Sequence, residues 1–103
     1  MTPEQLWQAY LAAKTVRDTA SNAFRVAEDS LRGAEAADAN ASLNLLQALT
    51  GGNQATIDAA SVAKIQTTIA LNLSEMTYSM AKNNLNAAQA NVNAAYRELT
   101  QRR

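Results

Sequence analysis

The pair Gly51–Gly52 stands at the midpoint of a 103-residue chain that is otherwise built almost wholly of helix formers. In "LLQALTGGNQATIDAA", Leu45 to Ala60, two glycines and an asparagine separate alanine- and leucine-rich stretches. Glycine just past the last apolar residue is the usual end of a helix, because it takes a positive φ without steric cost. Asn53 is placed to cap whatever follows. No proline interrupts Gln54 to Arg103. The only proline is in "TPEQL", where Thr2 suits the N-cap, Pro3 the first helical position, and Glu4 and Gln5 lie near the orphan amides. One break between two equal arms predicts an all-α fold, a long antiparallel helical hairpin of coiled-coil character. Helix 1 is expected over about 3–50, the turn at Gly51, Gly52 and Asn53, and helix 2 over about 54–101, as one domain spanning 1–103.

The apolar spacing points the same way. Leu6, Tyr10, Ala13, Arg17, Ala20, Phe24, Ala27 and Leu31 follow an alternating four–three step, and all but Arg17 are apolar. Gly33 and "ADANAS", Ala37 to Ser42, weaken the pattern, and a kink or phase slip is expected near 33–41. Large residues then resume at Leu43, Leu46 and Leu49. In the second arm, Ile57, Val62, Ile65, Ile69, Leu73, Met76 and Met80 keep helical spacing. The stripe slips by one and continues at Leu85, Ala88, Val92, Ala95 and Leu99. Leu6, Tyr10, Phe24, Leu31, Leu46, Ile57, Ile65, Ile69, Leu73, Met76, Met80 and Val92 are therefore the expected hairpin seam. Folding about the glycines sets Leu46 against Ile57, Leu31 against Leu73 or Asn72, Phe24 against Ser79 or Met80, and Tyr10 near Val92. Trp7 falls near Tyr96, which gathers three of the aromatics at the open end.

Such a seam is thin. Hydrophobic residues make up 48% of the chain, but many are alanine and only five residues are aromatic. Alanine favours helix and buries little area, so two helices of this composition barely offset the entropy of ordering them. Association into a multi-helix bundle is the expected remedy. Charges are missing from Ala39 to Ile57, from Ile65 to Ser74 and from Asn83 to Tyr96, where an exposed helix would normally carry Lys and Glu. "KNNLNAAQANVNAAYRE" holds Asn84 and Asn91 one heptad apart, and likewise Asn86 and Asn93. Asparagine is a poor helix former, and these four are the candidates for contact between subunits.

Several chemistries find no support. Nine basic and nine acidic residues cancel, so the basic excess of a nucleic-acid binder is missing. The small tail of Arg97, Arg102 and Arg103 complements a helix C-terminus. Cysteine and histidine are absent, which removes thiolate chemistry and the commonest base and metal ligand. Glu28 and Asp29 have Arg25 and Arg32 within ion-pairing reach on a helix, a pattern of solvated surface rather than acid–base catalysis. "TGGN" lacks the Lys-Ser/Thr and preceding strand of a phosphate loop. Met76 and Met80 read as core rather than ligands. No catalytic, cofactor or metal site is expected, and no membrane span. "MTPEQLWQAY" has no cleaved signal, which suits the cytoplasm or an assembled particle and leaves export by another route open.

Trp7 and Tyr96 form either a partner-binding patch or the closure of the bundle. The length, two arms and central glycine resemble the small secreted hairpins of the WXG100 type, although the only tryptophan is Trp7 and Thr100 stands four positions after Tyr96. "NNLNAAQANVNAA" is similar in composition to subunits of flagellar and secretion filaments, and "TPEQ" with abundant alanine to granule-coating phasins. The function expected is that of a non-enzymatic, self-associating subunit of a larger complex, such as a virion, secretion apparatus or filament. The alternative is a small binding module, a secreted hairpin or adaptor, acting through a heterologous protein.

Overall fold

The structure, a computed structural model, describes residues 1–101. Arg102 and Arg103 of the basic tail lie outside them. The chain is an antiparallel hairpin of two long helices, α1 (Pro3–Gly51) and α2 (Gln54–Gln101). The start of α1 is a reciprocal capping box. The Gln5 amide donates to Thr2 Oγ1 at 3.1 Å, and the Thr2 amide donates to Gln5 Oε1 at 2.9 Å. α1 runs as continuous helix through Gly33 and Ala37–Ser42. Small hydroxyl residues bond back to their own helix: Ser42 to the Asp38 carbonyl, Thr50 to that of Leu46 and Thr77 to that of Leu73. Back-bonding of this kind satisfies polar side chains on surfaces that carry few charges.

The bend needs its glycine for a different reason from the one expected. No glycine takes a positive φ. The Gly52 amide still donates to the Ala48 carbonyl at 2.8 Å, so helical bonding persists to the corner. A Cβ on Gly52 would meet that same oxygen at 2.7 Å and Thr56 Cβ at 3.2 Å. Space, not a left-handed backbone, demands glycine there. Asn53 caps α2: its Oδ1 accepts from the Thr56 amide at 2.9 Å and from the Thr56 hydroxyl at 3.0 Å.

The molecule comprises two compact units, each holding a length of both helices. The first combines Met1–Val26 with Ser79–Arg103, of which 1–26 and 79–101 are described. Its buried and half-buried stripe is Leu6, Tyr10, Ala13, Arg17, Ala20 and Phe24 on α1, with Ala81, Leu85, Ala88, Val92, Ala95 and Leu99 on α2. The second unit is Ala27–Tyr78. There the stripe is Ala27, Leu31, Ala34, Asp38, Ala41, Leu45 and Ala48, facing Ile57, Ala60, Lys64, Thr67, Leu71, Ser74 and Tyr78. The four–three step never slips in either helix. The seam keeps its phase straight through Gly33 and Ala37–Ser42.

This placement corrects half of the expected seam. Leu46, Ile65, Ile69, Leu73, Met76 and Met80 are all exposed. Among the described residues the buried side chains are Leu6, Val92 and five alanines, Ala27, Ala41, Ala48, Ala81 and Ala88. The register differs as well. Asp38 bonds to Thr67 and Thr68, two and three residues further along α2 than folding symmetrically about the glycines implies, and the longer Lys64 side chain reaches it from the other side. The physical reason is that alanine lets two helices approach closely while a row of Leu and Ile would hold them apart. The fully buried seam layers of the second unit are therefore alanine, alternating with half-buried Leu31, Leu45, Ile57 and Leu71, while Leu46, Ile65, Ile69, Leu73 and Met76 are turned outward.

Candidate functional site

The polar centre of the second unit is Asp38, at a seam position of α1. Its Oδ1 accepts from Lys64 Nζ at 2.8 Å, from the Thr67 hydroxyl at 2.9 Å and from the Thr68 hydroxyl at 3.1 Å. The Asp38 and Lys64 side chains are 17% and 29% exposed. Hydrogen bonds from Lys64 and then Thr67 hold the Asp38 carboxyl below its ordinary range, against the opposing effect of desolvation. A folded-state value below the unfolded one, about 3.9, makes the contribution to stability fully present at neutral pH. It is lost as pH falls from about 4 through the folded value. Acidifying wild type below pH 4 should therefore lower its melting temperature more than it lowers that of Asp38→Asn, as followed by circular dichroism. Parallel curves for the two proteins would show that the charged layer contributes nothing.

At the chain ends, in the first unit, Tyr10 joins two exposed aromatics. Its ring centroid lies 5.7 Å from that of Trp7 and 5.9 Å from that of Tyr96, and Lys14 Nζ stands 5.5 Å over its face. Tilted pairs at these separations and a cation over a ring are both attractive. Trp7 and Tyr96, expected to gather there, meet through Tyr10. In the same unit Arg17 sits on the seam and donates to Asp18 Oδ1 at 3.1 and 3.2 Å. Beside it a shallow hollow of about 500 Å³ is lined by Ser21, Leu85, Asn86 and Gln89.

Asn84, Asn86, Asn91 and Asn93, the expected inter-subunit contacts, are exposed on α2 of the first unit. The Gln89 side-chain amide donates to Asn93 Oδ1 at 3.1 Å, a bond along one helix. Arg32 pairs with Glu28 at 3.3 Å and with Asp29 at 4.0 Å on the surface of α1. Exposed pairs of this kind add little stability.

Most of the exposed large apolar side chains among the described residues belong to the second unit. Leu43, Leu46 and Leu49 on α1 and Val62, Ile65, Ile69, Leu73 and Met76 on α2 are all more than half exposed. Met80 continues the spacing into the first unit at 64%. Exposure of side chains this large along a helix marks an interaction surface. The sequence advertised these residues but assigned them to the wrong contact. It did not single out Asp38. Stepping by sevens from Tyr10 through Arg17, Phe24 and Leu31 reaches Asp38 and then Leu45, and that count was the available signal.

Among the described residues no helix is long and apolar enough to cross a membrane, and no group of three or more acidic, cysteine or histidine side chains could hold a metal. No protein-family model matches the chain, and neither a curated protein nor a solved structure is similar to it.

Proposed function

We propose that the protein is a non-enzymatic structural subunit, a helical hairpin that associates with copies of itself within a larger assembly of the kind found in virions, secretion machines or filaments. One observation carries this reading. Among the described residues five of the seven buried ones are alanine, while eight large apolar side chains of the second unit stand more than half exposed. A chain that buries little beyond alanine and leaves a second row of large apolar residues exposed has an adhesive surface to offer another molecule. Mass in solution against concentration is the direct test. The average mass by light scattering should rise through the micromolar range, with helix content and melting temperature rising together. A stable, fully helical monomer at several hundred micromolar would overturn the reading.

A second reading has its own support. The Trp7, Tyr10 and Tyr96 cluster, with Lys14 over Tyr10, offers aromatic anchors of the type that dominate heterologous interfaces. A module acting through a different protein would fold poorly alone and be rescued by co-expression, without the concentration dependence.

A further inference from the structure

The outward stripe on α2 of the second unit has an order of its own. Val62, Ile65, Ile69, Leu73 and Met76 are spaced by three, four, four and three residues, which reads the same in both directions about Ile69. Each is 54–61% exposed, while the seam side of the same segment is Ala60, Lys64, Thr67, Leu71 and Ser74. Charge is scarce along the stripe. Between Asp58 and Tyr78 the only charged residues are Lys64, already held by Asp38, and Glu75. The corresponding length of α1 is different, with Glu28, Asp29, Arg32 and Glu35 in quick succession. Over that length the apolar line runs on α2 and not on α1, whose exposed Leu43, Leu46 and Leu49 lie nearer the turn.

We infer that this stripe takes a second copy of the chain, laid antiparallel across a two-fold axis at Ile69. The inference rests on the self-association reading and names the face that serves it. A two-fold interface must be its own complement. Antiparallel pairing about Ile69 sets Val62 against Met76 of the second copy, Ile65 against its Leu73, and Ile69 against its counterpart. No like charges meet, because Glu75 comes level with Ala63 and Lys64 with Ser74. A heterologous helix would not require spacing symmetric about a centre. A lipid surface would favour flanking Lys and Arg, whereas the exposed charges nearest the stripe are the carboxylates Asp58 and Glu75. Five side chains from each copy make a small interface, so dissociation in the micromolar range is expected.

The chain has no cysteine, which makes a single introduced thiol unambiguous. Ile69→Cys should give a covalent dimer on mild oxidation at concentrations where wild type is dimeric, while Val26→Cys, on the exposed side of α1, should give little. Ile69→Glu should raise the dissociation constant about 100-fold with helicity of the dilute protein unchanged. Ile65→Lys and Leu73→Glu should each weaken association, and the double variant should recover most of it, because each new cation then faces a new anion of the other copy. Wild type that self-associates while Ile69→Glu does so equally well, or a double variant weaker than both singles, would overturn this face and leave the self-association reading standing. Wild type that stays monomeric, or that gains helicity only on vesicles of anionic lipid, would overturn both.

Discussion

Replacing Ala27 by leucine should destabilise the protein by about 1–3 kcal/mol, whereas replacing its neighbour Val26 by alanine should change stability by less than about 0.5 kcal/mol. Intuition runs the other way, since valine is the larger apolar residue and its truncation is the usual core-damaging change. The exposures decide it: Ala27 is 4% exposed and Val26 66%. Ala27 is buried on the seam of the second unit, level with Tyr78, where leucine would add three further carbons. Overpacking there must push the helices apart or force a strained rotamer, and either outcome propagates along a contact made mostly of small side chains. Chemical denaturation of both variants at low concentration, where association does not contribute, measures the difference. An Ala27→Leu protein as stable as wild type would mean that the helices are not in contact at this layer.

The three glycines should give opposite results under one substitution. Gly33→Ala should stabilise by about 1 kcal/mol, because Gly33 lies inside α1 and an added Cβ meets nothing within 4 Å. Gly51→Ala should stabilise by less, since that residue ends α1 and also has open space around it. Gly52→Ala should destabilise by about 1–3 kcal/mol, as the new methyl would sit 2.7 Å from a backbone oxygen that cannot move without opening the last turn of α1. Thermal melts of the three variants, compared with wild type under one condition, separate them by sign. A Gly52→Ala protein melting above wild type would show that the corner relaxes easily and that the pair of glycines owes its position to something other than crowding.

These two sets of variants also mark how far the residues speak for themselves. The helix start at Thr2 and Pro3, the stop at the glycines and the cap by Asn53 are written in local chemistry, where one residue type has one dominant use. The seam is written differently. Following the largest apolar residues of α2 traces Ile65, Ile69, Leu73, Met76 and Met80, which form the outer stripe. Following strict four–three steps back from Leu99 traces Val92, Leu85, Tyr78, Leu71 and Lys64, which form the inner one. The apparent slip between Met80 and Leu85 is where a reader crosses from one stripe to the other. Both stripes have helical period, so periodicity alone cannot rank them. Close approach of alanines is a property of the pair of helices, and it outweighs the greater area that isoleucine would bury in a single one.

The Asp38 cluster has a bearing on how the helices could be misaligned. Layers of alanine are nearly interchangeable, so a frameshift of seven residues would leave most of them as well filled as before. It would not leave Asp38 so. Moved one heptad, the carboxylate would come level with Ala60 or Ser74 rather than Thr67, and the Lys64 ammonium would lose its anion. A single acidic side chain thus serves as the key that makes one alignment of two otherwise repetitive surfaces lower in free energy than its neighbours.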